Sequence, residues 1–217
     1  MTSTAIQFTD ARRRAELRGR ASGVSILAFF ALAWTGWGTG GHLPTVAQVV
    51  LMVAAAVFSA ALAGIAWHRV RAFEASVGGA AEGAGDITDG GDRGGSGGDA
   101  AGRRRISRRF AIVVGIEWIG LFILAGALGA TGHEVVIPAV VALGVGLHFI
   151  PLARLFGVGV YHLTAVLMSL SAVAAMVLAP LVGRPALWTL LPGLGSAVVL
   201  YGTCVALLRQ VARLTNG

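Results

Sequence analysis

The sequence has no lysine, a single cysteine and few charged residues of either sign. Only 12% of its 217 residues are charged and 56% are hydrophobic, whereas a globular domain carries about 25% charged and about 45–50% apolar residues. This shortage of charge excludes an ordinary soluble domain. Because Cys204 is alone, an intrachain disulfide and a cysteine-based metal cluster are excluded as well.

The chain also lacks the short motifs of several enzyme classes. It contains no Walker sequence, no H-E-x-x-H and no G-x-S-x-G. Its formal net charge of +7 would suit a nucleic-acid binder, but all 17 basic residues are arginines, clustered between long apolar runs. That arrangement is typical of membrane orientation signals, so we expect no nucleic-acid partner.

Six apolar segments have a length suited to the hydrocarbon core, which needs roughly 20 residues per helix. They cover residues 21–41, 43–67, 110–131, 135–150, 158–179 and 186–208. The fourth is the shortest, and Pro151 follows it. The pattern predicts an all-α integral membrane protein, a bundle of about six transmembrane helices.

The arginines indicate how these helices run. Sixteen of the seventeen fall in the amino-terminal tail, the second-to-third and fourth-to-fifth connections or the carboxyl-terminal tail, and only Arg184 lies on the other side. The positive-inside rule therefore predicts that both chain ends lie in the cytoplasm. The absence of lysine beside abundant Ala, Gly, Val and Arg is typical of GC-rich bacterial genomes, so we expect a multi-pass protein of the bacterial inner membrane.

The chain accordingly divides into five stretches. These are a basic cytoplasmic tail (1–20), transmembrane helices 1 and 2 (21–72), a Gly-rich cytoplasmic loop (73–109), transmembrane helices 3 to 6 (110–208) and a cytoplasmic tail (209–217). The loop's central part, 78–102, has eleven glycines and few large apolar residues, which predicts a flexible linker.

Three aspartates of this loop form a D-x-x-D-x-x-D pattern: Asp86, Asp89 and Asp92. The spacing is similar to the aspartate-rich Mg²⁺ site of prenyl-diphosphate enzymes. Such a site needs rigid helices to direct its carboxylates, and a Gly-rich loop provides none. We expect a solvated spacer, with no metal and no cofactor.

Glu117 is the acidic residue that lies within a predicted span. It follows Phe110 by seven positions, which places it roughly 10 Å into the membrane. An ionisable group there costs several kcal/mol unless it is paired, protonated or facing a cavity. Burial favours the neutral acid, which suits a proton donor, a proton relay or a hydrogen-bonding tie between helices.

Other polar and aromatic residues are predicted in the same cytoplasmic half of the membrane. We expect a pocket in which His148, His162 and Tyr161 join Glu117 as catalytic candidates. The candidates for substrate binding are Trp118, Phe122, Phe149, Trp34, Phe30 and Tyr201. The alternative is that the two histidines lie among lipid headgroups and that Tyr161 belongs to an aromatic belt.

Small residues and a proline predict how the helices pack. Gly36-x-x-x-Gly40 and Ala125-x-x-x-Gly129 predict close helix approach, and Pro192 predicts a kink in the last span.

Two resemblances bear on function. The stretch GLHFIPLARLF, residues 146–156, resembles one found in small bacterial membrane proteins of unassigned function. In plan, a short polytopic chain with a membrane-buried acid among aromatics is similar to the integral-membrane meroterpenoid and indole-sesquiterpene cyclases. That resemblance implies protonation of a terminal alkene or epoxide without Mg²⁺, with Glu117 as the acid and Trp118 steadying the carbocations.

Two hypotheses follow. The first is a membrane-bound class II terpene cyclase, a metal-independent enzyme acting on a lipophilic prenylated substrate that partitions into the bilayer. The second is a non-enzymatic membrane protein, either a small proton-coupled transporter or a structural subunit, in which Glu117 is a relay or a tie. The sequence leaves the substrate and the oligomeric state open.

Overall fold

A computed structural model describes the backbone of residues 2–82 and 97–216 and the side chains of residues 12–77 and 114–215. Six α-helices and one short 3-10 helix account for nearly all of this backbone. They are α1 (Thr2–Thr39), α2 (Thr45–Glu82), α3 (Gly97–Ala130), the 3-10 helix (Glu134–Val136), α4 (Ile137–Phe156), α5 (Val160–Val182) and α6 (Leu187–Asn216). The predicted all-α bundle of six helices is confirmed.

The helices have the length and surface of a multi-pass membrane protein. In the described part of the chain, five helices are long and apolar enough to cross a bilayer, and α3 contributes a shorter apolar stretch, Val114–Ala130. Large apolar side chains point outward, such as Val46 at 77% exposure and Phe122 at 69%. A water-soluble monomer rarely exposes so much contiguous apolar surface, whereas hydrocarbon solvates it.

The bundle is organised around α1 and α6, which pack along most of their length. α2 lies against both of them, α5 lies against α6, and α4 packs mainly on α5. α3 differs from the others because its principal contacts are with α4 and the 3-10 helix. It therefore stands at the edge of the bundle, and space is left between it and α1.

The closest helix crossing joins α1 and α6 at two glycines. A Cβ atom built on Gly38 would lie 2.8 Å from the Cα of Gly193, next to the buried Pro192. The predicted approach at Gly36 is made instead to the side chain of Met52 on α2, and Gly129 has nothing within 4 Å. The expectation for Gly129 is therefore wrong, because none of the described residues packs against α3 there.

Contacts at one end of the bundle join helix segments that run past the predicted spans. Arg18 on α1 pairs with Glu74 on α2 at 2.6 Å, and the guanidinium of Arg13 lies 5.4 Å from the ring centroid of Phe73. We call this the arginine end. The carboxyl ends of α4 and α6, with Arg154 and Arg213, lie at the same end because successive helices alternate in direction.

Helices extend into the stretch 73–109, for which a loop is predicted. α2 continues to Glu82 and α3 begins at Gly97, so helix covers both ends of that stretch. Alanine and arginine are good helix formers, and a helix adds residues readily once it has begun. Asp86, Asp89 and Asp92 lie outside the described residues.

Candidate functional site

A cavity of about 700 Å³ lies between α1, α3 and α4. Its size falls within the range of small-molecule sites, roughly 300–1,000 Å³. α3 lines it with Val114, Glu117, Trp118 and Leu121, and α4 lines it with Val145, His148, Phe149, Leu152 and Phe156. Tyr161 of α5 and Leu200 and Leu207 of α6 complete its floor. Most of the surface is apolar, which suits a lipophilic occupant.

One stripe of the cavity-facing side of α1 has little side-chain bulk. Ala15, Gly19 and Gly23 follow one another at four-residue spacing and so lie on one face of the helix. Gly19 has nothing within 4 Å, and Gly23 faces the hydroxyl of Tyr161. Since α3 does not close against this face, the volume remains open.

Glu117 and His148 form the polar centre of the cavity. The carboxylate Oε2 of Glu117 is hydrogen-bonded to Nδ1 of His148, and both side chains are mostly buried. One turn away, Leu121 of α3 packs over Gly144 of α4, where the missing side chain lets the two helices approach. Glu117 and Leu121 are four residues apart on α3, and Gly144 and His148 are four residues apart on α4. Because the two helices run in opposite directions, the Glu117–His148 and Leu121–Gly144 contacts form together.

This pair can hold one proton in two ways. Either a neutral carboxylic acid donates to a neutral imidazole, or an imidazolium donates to a carboxylate. Pairing offsets much of the cost of placing either group in an apolar environment. The other ring nitrogen of His148, Nε2, makes no hydrogen bond to the described residues, so it is free to exchange a proton with a further group.

Four aromatic rings line the same cavity as this pair. Trp118 stacks on Phe30 of α1 with ring centroids 6.4 Å apart. Phe149 lies 6.5 Å from His148 and 5.6 Å from Tyr161. Predicted site residues from four different helices, α1, α3, α4 and α5, are thus brought together.

Four other predicted site residues lie elsewhere. Phe122 touches Trp118 but points outward. His162 is exposed, since consecutive helical residues are turned by about 100° and Tyr161 takes the cavity-facing position. Trp34 is buried against Trp37, with centroids 5.2 Å apart.

Tyr201 is the fourth. Its hydroxyl lies 2.9 Å from Ser59 Oγ and donates to the carbonyl oxygen of Ala55 at 3.2 Å. It therefore faces α2, whereas Leu200 and Leu207 of the same helix face the cavity. The predicted single polar layer is corrected to a cavity and a separate set of contacts between helices.

Several further polar groups belong to that second set. The hydroxyls of Thr164 and Thr203 lie 2.7 Å apart between α5 and α6, and Trp67 donates its indole N–H to Ser25 at 3.1 Å. In the part of the chain whose side chains are described, no three His, Cys, Asp or Glu side chains come together as a metal site.

Sequence reasoning missed two charged residues of the cavity. Arg20 and Glu16 line the part of the cavity that lies closest to the arginine end of the bundle, and they form an ion pair at 2.6 Å. The arginine had been used only as an orientation signal. Glu16, Arg20, Gly23 and Leu27 recur every three or four residues and so share one face of α1, but the sequence does not show that this face meets a cavity.

Comparison of the chain with known protein families, with curated proteins and with solved structures gives no match. Inference about its activity therefore rests on the cavity.

Proposed function

We propose that the protein is a membrane-bound enzyme that protonates a lipophilic prenylated molecule in the cavity and so starts a metal-independent cyclisation. The observation that supports this proposal best is the hydrogen-bonded pair of Glu117 and His148 on the wall of an apolar cavity of about 700 Å³. An acid in such a place meets its substrate away from water, where a carbocation survives long enough to react.

In the proposed reaction Glu117 is the general acid. The O–H bond of the acid breaks and its proton adds to the less substituted carbon of the terminal prenyl double bond. The π electrons form the new C–H bond, and a tertiary carbocation remains on the other carbon of that double bond. Further double bonds attack that cation in turn, and loss of one proton from carbon ends the sequence. The product is an isomer of the substrate, so no oxidant or co-reactant is required.

His148 is the proposed proton-return group. After the transfer, the Glu117 carboxylate is left beside the neutral imidazole of His148. The imidazole takes up a proton, either from solvent or from the one released by the substrate, and the imidazolium so formed returns a proton from Nδ1 to the carboxylate. Histidine is the side chain most often used in general acid–base catalysis, which suits this role.

The aromatic rings would stabilise the cation. The cavity that contains the pair is also lined by Trp118, Phe30, Phe149 and Tyr161. The negative face of an aromatic ring attracts a cation by about 0.5–2 kcal/mol, and more strongly where water is excluded. The cavity thus offers both a proton and an environment for the charge it creates.

The proposed setting is the bacterial inner membrane with both chain ends in the cytoplasm. The arginine end of the bundle would then face the cytoplasm by the positive-inside rule. Cysteine accessibility at the two ends tests this orientation, with Ala186→Cys on the opposite side from Arg213→Cys in a Cys204→Ala background.

The activity is tested with purified protein in detergent micelles. The substrates are polyprenylated aromatic compounds ending in an alkene, incubated in D2O and analysed by mass spectrometry. We expect a cyclised product carrying one deuterium on carbon. Glu117→Gln should lower its formation by about 10²–10⁴-fold, the usual contribution of a general acid.

Glu134→Gln is the matched control, because it makes the same chemical change at an exposed position outside the cavity. It should retain the wild-type rate. Product formation by folded Glu117→Gln at the wild-type rate would refute the assignment of the acid, and absence of cyclised product from wild-type protein with every alkene tested would count against the enzyme.

A second candidate is a non-enzymatic protein in which the pair is a tie or a relay. The observation in its favour is that α3 has few contacts besides those with α4, so Glu117 and His148 join it to the bundle. If the pair only holds α3 in place, apolar packing can replace its hydrogen bond. The double variant Glu117→Leu/His148→Leu should then fold and function in the cell like the wild type. A proton relay would instead show itself as proton flux in proteoliposomes that Glu117→Gln abolishes.

A further inference from the structure

The end of the cavity nearest the arginine end contains a charged residue that the proposed proton chemistry does not use. Arg20 lines the cavity, and about a fifth of its side chain is exposed. One of its terminal nitrogens donates to Glu16 at 2.6 Å. A guanidinium has five N–H donors in a planar fork, so most of its capacity to bind an anion remains available.

A second group at this end of the cavity is a hydroxyl without a partner. The Tyr161 hydroxyl makes no hydrogen bond to the described residues, and its oxygen lies against Gly23, about one turn beyond Arg20. Arg20 and Tyr161 line the same cavity. A guanidinium and a phenol O–H beside an open volume are suited to a carboxylate or phosphate.

Beyond these two groups the cavity is apolar and elongated. Arg20 and Phe30 are about 15 Å apart along α1 at the rise of an α-helix, and Phe30 stacks on Trp118, the neighbour of Glu117. Gly19 opens onto free space beside Arg20. The cavity thus has an anion-binding end at Arg20, and its wall continues along α1 to Phe30, whose ring partner Trp118 is the chain neighbour of Glu117.

We propose that the ligand of this cavity is an anionic single-chain amphiphile. Its carboxylate or phosphate head group binds Arg20 and Tyr161, and its chain extends along Gly19 and Gly23 toward Glu117 and His148. This inference builds on the proposed function, in which the chain is prenyl and its far end is protonated, and it adds the head group and the direction of binding.

Glu16 competes for the same arginine. Its side chain is about half exposed, so it can turn outward when a head group arrives. It also places a negative charge beside the site, which repels an anionic ligand. Glu16→Gln should therefore strengthen binding of an acidic amphiphile and leave binding of a neutral one unchanged.

The probes are a long-chain fatty acid with a photoreactive diazirine on its chain and the alcohol of the same chain. Each is crosslinked to the full chain in detergent micelles, and the labelled peptides are identified by mass spectrometry. We expect the acid to label α1, α3 and α4 at about tenfold lower concentration than the alcohol, since a charge-assisted hydrogen bond is worth roughly one decade of affinity.

Two matched pairs of variants test the site. Arg20→Gln should lower labelling by the acid to the level of the alcohol, whereas Arg18→Gln, which pairs with Glu74 away from the cavity, should not. Gly19→Leu should fill the cavity and block both probes. Gly64→Leu on α2, a glycine that also has nothing within 4 Å, should block neither.

Three results would overturn the proposal: equal labelling by acid and alcohol, an equal loss in Arg20→Gln and Arg18→Gln, or displacement of the acid by millimolar inorganic phosphate. The last would indicate a site for free phosphate. The readout is independent of catalysis, because Glu117→Gln should still prefer the acid. If the protein binds the acid but forms no product, only the proposed enzymatic activity is refuted. If it forms product without preferring acidic substrates, only the proposed head-group site is refuted.

Discussion

The two sides of α1 use glycine in opposite ways. Toward α6, Gly38 meets Gly193 so closely that a side chain on either residue would overlap the partner's backbone. Toward α3, Gly19 faces open space and Gly23 faces the Tyr161 hydroxyl. The same residue type thus brings two helices together on one side and keeps a cavity open on the other. What differs is whether a second helix fills the space left by the missing side chain.

The largest effect is expected where the glycines are in contact. Gly193→Ala should cost about 1–3 kcal/mol of stability, because backbone atoms cannot move aside as a flexible side chain can. The matched control is Gly202→Ala on the same helix, where nothing lies within 4 Å. It should be neutral or gain up to about 1 kcal/mol from its helix propensity. Unfolding of both variants in a denaturing detergent series measures the difference, and equal stability would contradict the close crossing.

An intermediate effect is expected on the open side, where the pair of Glu117 and His148 holds α3. A double-mutant cycle of Glu117→Gln and His148→Phe should give a coupling energy of about 1 kcal/mol, since the two side chains share a hydrogen bond in a largely buried place. Proteolysis of α3 in detergent should rise in each single variant. Additive losses of stability would mean that the two residues do not act as a pair.

The smallest effect is expected between α2 and α6. Tyr201→Phe removes the hydroxyl that contacts Ser59 and Ala55, and a hydrogen bond between membrane helices is worth about 0.6 kcal/mol on average. The cavity is unchanged by this substitution, so ligand labelling and product formation should match the wild type. A loss of ligand labelling or of product formation would show that Tyr201 contributes to the cavity.

Much of the architecture follows from local patterns in the sequence. Apolar runs of about 20 residues predict helices that cross a bilayer, because the backbone must satisfy its own hydrogen bonds there. Glu117 also stands out without a structure, since an acid within such a run is costly unless it is paired or protonated. Its partner did not stand out to the same degree. His148 is 31 positions away, and only the antiparallel contact of α3 with α4 brings them together.

The rotation of each helix about its own axis was harder to predict. Tyr161 and His162 are adjacent in the chain, yet one lines the cavity and the other is exposed. In a soluble helix an apolar stripe marks the buried face, but a helix in lipid is apolar all round and gives no such mark. For the same reason Tyr201 was placed on the wrong side of α6, and Arg20 was taken as an orientation signal instead of a cavity residue.

The sequence by itself determined the number of helices, the apolar part of each and the presence of an unusual acid, because each depends on the composition of a single segment in hydrocarbon. The tertiary structure decided which faces meet. It joined Glu117 to His148, closed Gly38 on Gly193 and left Gly19 beside an empty volume with Arg20 at its end. Packing between segments depends on shape across distant positions, and no pattern within one helix records it.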